Sequence, residues 1–165
     1  MNHAPMSQSC GLSRIRCLYS EPRPAKSPKE LAARKALREL DQFIGPAQRA
    51  TVLTCFRGEE QEWFFDKIIE LHQRITTMPK TYEQDGKGDN ATVYLHYFAG
   101  GQANAYITER DMEPEQHQAF GLADLFGDGG ELGYLSLVEW LANGAELDFH
   151  FTPCTLGELR QKRRL

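Results

Sequence analysis

The 165-residue sequence has no apolar run near the ~20 residues that a membrane-spanning helix needs, so no membrane association is expected. Its opening stretch, Met1–Tyr19, lacks the continuous apolar core of a signal peptide and carries Arg14 and Arg16, which predicts a cytoplasmic protein. Cysteine is sparse. Cys10, Cys17, Cys55 and Cys154 form no CxxC pair, so reduced thiols are expected rather than a disulfide framework or a metal site. No serine lies in GxSxG, and Gly127-Asp128-Gly129-Gly130 lacks the Gly-Lys-Ser/Thr ending of a phosphate cradle. Positive charge is missing from the middle. Between Tyr82 and Asp148 thirteen Asp and Glu face two basic residues, Lys87 and Arg110, a local balance of −11 in a chain of net charge −4. The flanks are mildly basic, and such a field repels nucleic acid over the middle and attracts cationic surfaces there.

What is present is enough for a core. Hydrophobic residues make up 41% of the chain, with Trp63 and Trp140 among the aromatics, and the length fits one domain. Residues 1–27, with Pro5, Pro22 and Pro24 and no sustained period, read as a disordered arm ahead of a domain over 28–165. The domain divides into a helical part (28–78) and a β-rich part (79–165). Ser27-Pro28-Lys29-Glu30 is a helix-start signature, and Leu31, Leu37, Leu40 and Ile44 follow at near-helical spacing until Gly45-Pro46. Pro46 opens a second short helix. A third, from about Glu59 to Thr77, presents Phe64, Phe65, Ile68, Leu71, His72 and Ile75 on one face, with His72 read as a hydrogen-bonded core residue.

From Thr92 the period drops to two. Val93, Leu95 and Tyr97 alternate with Tyr94, His96 and Phe98, Gly100-Gly101 suits a hairpin turn, and strands are expected at 103–108, 119–125 and 132–135. Ser136 and Glu139 open a short helix before a last strand in which Leu147, Phe149 and Phe151 alternate with Asp148 and His150. Thr155 and Glu158 cap a basic terminal helix. Helices followed by hairpin-linked strands predict an α+β fold with a largely antiparallel sheet of four or five strands.

The stretches Ala119-Phe120-Gly121-Leu122-Ala123-Asp124-Leu125, Glu131-Leu132-Gly133-Tyr134-Leu135-Ser136-Leu137 and Glu146–Pro153 carry a resemblance. Over residues 79–159 the chain resembles a domain-of-unknown-function family of small proteins from bacterial plasmids, integrative elements and phages. The resemblance implies a bacterial mobile-element setting. It supplies no catalytic residues.

The chemistry the residues offer is limited. If the strands carrying His96 and His150 are neighbours, both imidazoles would face one side with Tyr94, Tyr106 and Asp148, the best arrangement for acid–base work, with His96, His150 and Asp124 as the candidate catalytic set; the favoured alternative puts each ring on the wet face of the sheet. Glu109, Asp111, Asp124, Asp128 and Glu131 lie near strand ends, and two or three of them within ~4 Å of one Mg²⁺ would suit a nuclease. Cys154, just before a helix N-terminus, is placed for a depressed thiol pKa. No cofactor is expected. The favoured reading is a non-enzymatic interaction protein whose Glu109, Asp111, Asp124, Asp128, Glu131, Tyr106 and Tyr134 engage a basic surface on a partner protein, such as a host defence or DNA-processing factor. The alternatives are the metal-dependent nuclease and nucleic-acid binding through the basic ends (Arg14 to Arg38 and Arg160 to Arg164).

Overall fold

A computed structural model describes residues 25–111 and 117–163. Most of the expected arm, together with Cys10, Cys17, Glu113 and Glu115, lies outside the described residues. Three helices come first: α1 (Pro28–Glu39), α2 (Pro46–Cys55) and α3 (Gln61–Thr77). The Ser27 hydroxyl oxygen accepts from the Glu30 backbone N–H at 3.1 Å, as its N-cap position dictates, while the Glu30 carboxylate turns forward to Arg34 at 2.7 Å. Helices α1 and α3 pack together, gathering Ala33, Ala36 and Leu37 from one and Phe65, Ile68, Leu71 and Ile75 from the other into one apolar cluster. Leu31 departs from the expected face. It sits two residues before Ala33, a rotation of roughly 200° about the helix axis, and stays exposed. His72 is also displaced from its expected role: half-buried, its Nε2 meets Glu39 Oε2 at 2.7 Å, tying α3 to the end of α1 rather than filling the core.

The strands form a five-stranded antiparallel sheet in the order β5-β4-β3-β2-β6, built from β2 (Leu95–Ala99), β3 (Ala103–Arg110), β4 (Gln118–Asp124), β5 (Glu131–Ser136) and β6 (Glu146–Leu147). A small second sheet pairs β1 (Thr92–Val93) with β7 (Cys154–Thr155). Helix α4 (Leu137–Ala142) lies between β5 and β6, and α5 (Leu156–Arg163) follows β7. The class is therefore α+β, with a short helix ahead of the final strands.

Alternation along the strands divides the sheet into two faces. Leu95, Tyr97, Ala105, Ile107, Ala119, Leu135 and Leu147 join the helical cluster. On the opposite face Tyr106 and Leu122 pack with Val93 of β1 and with Leu156 and Leu159 of α5. The core thus has two compartments, one closed by the N-terminal helices and one by the C-terminal segment. Tyr97 sits at the centre of the first, fully buried, donating its hydroxyl to the Phe43 carbonyl at 2.9 Å; burial holds the phenol protonated well above its ordinary range.

The last strand is shorter than its alternation predicts. Beyond Leu147 the Asp148 carboxylate accepts from the His150 backbone N–H at 2.9 Å, an Asx turn that ends the ladder after two residues. Phe149 then enters the helical cluster, and Phe151 packs on the opposite one.

Two glycines face each other across β4 and β5, Gly121 and Gly133, with opposite requirements. A Cβ on Gly121 would run into the Tyr106 carbonyl oxygen, whereas one on Gly133 meets nothing within 4 Å. Gly121→Ala should lower stability by about 1–3 kcal/mol through backbone overpacking, and Gly133→Ala should be neutral or raise it by about 0.5 kcal/mol. Urea denaturation of the two variants beside the parent chain measures both.

Candidate functional site

The cross-strand register sets His96 of β2 opposite Tyr106 of β3, two residues along the ladder from the Phe98–Asn104 pair and on the same face. The imidazole stacks on the Tyr106 ring at 4.6 Å and 6°, with Phe151 tilted against both. Its Nδ1 lies 3.0 Å from Asp148 Oδ2 and its Nε2 lies 2.9 Å from Asn104 Oδ1. Asn104 donates its Nδ2 to the Gln102 carbonyl at 2.7 Å, which turns the amide oxygen toward the imidazole. Each ring nitrogen therefore faces a side-chain oxygen of the protein, and neither is directed at a substrate. The expected grouping of His96, Asp148 and Tyr106 is real, but its geometry is that of a latch holding the β6–β7 segment on the sheet.

His150 does not join it. The turn that ends β6 carries it away, and its ring stacks on Trp63 at 5.2 Å. Tyr94 points into the helical side and packs against that cluster.

The acidic residues divide sharply. Asp124 is 0% exposed: its Oδ1 accepts from the backbone N–H groups of Phe126 (3.3 Å) and Gly127 (2.7 Å), and its Oδ2 pairs with Arg163 of α5. Arg163 also lies over the Tyr106 ring, 5.3 Å from its centroid. Glu109 is 3% exposed and accepts from the N–H groups of Tyr82 and Gln84, fixing a loop in which Tyr82 takes φ +74°. Asp111, half-buried, accepts from the Gln118 N–H at 3.2 Å. Three residues expected on a partner-binding surface are thus buried in the fold: Glu109, Asp124 and Tyr106. The reason is common to the two acids. A carboxylate at a strand end satisfies the unpaired N–H groups of the adjoining turn, and the turn folds over it.

This use of the carboxylates bears on the metal reading as well. Among the described residues no group of three or more His, Cys, Asp or Glu is placed to hold a metal ion. The thiol of Cys154 also runs against expectation, since burial pushes it above its ordinary value and the nearby Lys162 only partly offsets this. The basic C-terminal helix is spoken for in part, with Arg160 paired to Asp89 and Arg163 to Asp124.

What stands exposed is a smaller surface at the β5 end of the sheet. Asp128 and Glu131 are solvent-facing, and so are Tyr82, Leu125, Phe126, Leu132 and Tyr134. Tyr134 packs edge-on against Phe120 at 5.3 Å. A side-chain hydrogen bond with Tyr82 is the largest influence on the Tyr134 phenol, and with the negative charges of Asp85 and Glu109 nearby its pKa is pushed up to about 12. Leu125, Phe126 and Leu132 escape sequence reasoning because their apolar character reads as core; the one cue is their position against a four-residue Gly/Asp turn.

Two outcomes check this description. Asp124→Ala leaves the Arg163 guanidinium and two backbone donors without their carboxylate, and should destabilise the fold by about 3–5 kcal/mol, well beyond any effect of Asp128→Ala, in urea titrations. In an absorbance titration of phenolate, Tyr134 should ionise near 12, and Tyr82→Phe should bring it down toward its ordinary 10.0 because the neutral phenol loses its bonded partner. Compared with protein-family models, curated proteins and solved structures, the chain finds no match.

Proposed function

We propose that the chain is a non-enzymatic interaction protein that engages a basic surface of a partner protein through the exposed patch at the β5 end of its sheet. The contacting residues are Tyr82, Leu132, Tyr134 and Phe126, rimmed by Asp85, Asp128 and Glu131. The observation that carries this reading is the contrast between the two chemically rich regions. The histidine cluster has both ring nitrogens occupied, whereas the β5 patch leaves large aromatic and aliphatic side chains in solvent beside unburied carboxylates. Apolar anchors surrounded by charge are the usual anatomy of a protein–protein contact, with the charges steering approach and the anchors supplying affinity. The resemblance to proteins of plasmids, integrative elements and phages supports a bacterial host factor as partner, of the defence or DNA-processing kind, since such factors carry the basic grooves that an acidic rim complements.

Of the residues expected on the binding surface, Asp128, Glu131 and Tyr134 belong to this patch, joined by Tyr82, Asp85, Phe126 and Leu132, while Asp111 lies half-buried before β4. Nuclease action through clustered carboxylates gains no support from their dispersed placement.

The test is a pull-down from the bacterial host with the parent chain and with Asp128→Lys/Glu131→Lys, read by mass spectrometry. A specific prey should be recovered by the parent at low salt, fall at least about tenfold with the charge-reversed pair, and weaken as salt rises. A prey retained equally by both chains and indifferent to salt would refute the acidic rim as the determinant.

A further inference from the structure

The backbone of β5 faces an open edge. β5 is the outermost strand in the sheet order, with β4 as its one strand neighbour among the described residues. One step beyond the Gln118–Ser136 pair, the Leu137 N–H donates to the His117 carbonyl at 3.1 Å. Hydrogen-bonded and non-hydrogen-bonded pairs alternate along an antiparallel ladder. Leu135, Gly133 and Glu131 therefore turn their backbone groups toward β4, and Leu132 and Tyr134 turn theirs outward. The same two residues are 44% and 53% exposed. Natural sheet edges are usually blunted by lysine, proline or a bulge. β5 reads ELGYLS, with none of these residues, and its ladder to β4 has no register shift.

We propose that this edge pairs with the β5 edge of a second copy of the chain, antiparallel and centred on Gly133, to make one continuous ten-stranded sheet. In that register Leu132 lies opposite Tyr134 of the second copy, and Tyr134 opposite Leu132. Both are outward-facing positions, so each of the two pairs exchanges two backbone hydrogen bonds. On the same face the aliphatic and aromatic side chains meet as cross-strand neighbours. At the two-fold axis Gly133 faces Gly133 in a non-hydrogen-bonded pair, where the strands come closest (Cα atoms about 4.5 Å apart) and where the absence of a side chain leaves room. Neighbouring registers are poorer. Centring on Leu132 sets Tyr134 against Gly130, where the strand has given way to the turn, and centring on Tyr134 sets Leu132 against Ser136, which caps α4.

Charge agrees with this register. Glu131 is the one charged residue of β5, and it lies opposite Leu135 of the second copy. The two Glu131 are then four residues apart along the strand, about 14 Å, beyond the screening length of about 8 Å at physiological ionic strength. Edge pairing uses backbone groups and leaves the face free, so the paired molecule presents the Tyr82–Tyr134 patch twice. The assembly needs no other protein, and it is tested on the purified chain, so it stands or falls apart from the partner reading above.

Sedimentation velocity over a concentration series should show the 18.8 kDa chain passing to a species of twice that mass. Leu132→Lys/Tyr134→Lys sets like charges opposite one another and should sediment as a monomer with an unchanged circular dichroism spectrum. Leu132→Glu/Tyr134→Glu should do the same alone, and mixing the two variants should restore the dimer. Gly133→Cys should cross-link position 133 to itself on mild oxidation, identified by peptide mass mapping, because the spacing at a non-hydrogen-bonded pair suits a disulfide. A parent chain that stays monomeric throughout the series would overturn the proposal and leave the edge to an extended segment of another protein. A dimer that survives the lysine pair, or that fails to link through position 133, would overturn it equally.

Discussion

A carboxylate sealed from water governs this fold. Asp124 has no solvent exposure, and an unpaired ion there would be too costly to keep. Its partners all follow it in the chain, at two very different separations: two turn N–H groups just beyond β4, and the Arg163 guanidinium from α5, thirty-nine residues away. The same guanidinium covers Tyr106, which stacks on His96, which in turn binds Asp148. One connected chain of charge and ring contacts therefore fixes the C-terminal segment across the second face of the sheet. The N-terminal helices close the first face mainly with apolar area, joined by neutral hydrogen bonds from Tyr97 to the Phe43 carbonyl and between the Gln48 amide and the Leu147 backbone.

Glu109 repeats the principle at the other end of β3. Its two oxygens satisfy the N–H groups of Tyr82 and Gln84, and Gln84 in turn bonds the backbone of Thr92 and Thr108. The loop that results holds Tyr82 in a left-handed conformation and brings its hydroxyl to Tyr134. A buried acid thus positions the exposed tyrosine pair of the candidate surface. Part of the acidity in the middle of the sequence is structural, in Glu109, Asp111, Asp124 and Asp148, and beside the apolar anchors Asp85, Asp128 and Glu131 reach solvent as a rim.

Elements governed by local rules were legible in the sequence. The Ser27, Ser136 and Thr155 caps each accept from the residue three positions on, and Leu95 and Tyr97 are buried on the helical face as alternation requires, whereas Val93, expected with them, belongs to the small second sheet and is buried in the opposite cluster. Elements governed by distant partners were not. The strand pattern Leu147–Phe151 satisfies alternation, yet the side chain of Asp148 finds a nearer acceptor role and turns the backbone. Asp124 and Glu109 read as surface acids because their partners, Arg163 and the 82–84 backbone, lie far off in sequence. Likewise nothing local tells that Phe126 and Leu132 stay in solvent, since that depends on where the covering helix stops.

The order of elements along the chain has a consequence for synthesis. The second face of the sheet is closed by β7 and α5, which follow every strand of the five-stranded sheet in sequence. While the polypeptide emerges from a ribosome, the helical compartment has its N-terminal components before the sheet is made, but Tyr106, Leu122 and Asp124 must wait for Leu156, Leu159 and Arg163. Nascent molecules therefore pass through an interval in which the second face of the sheet is half-covered and the Asp124 carboxyl lacks its guanidinium partner, and closure of that face waits until α5 has emerged.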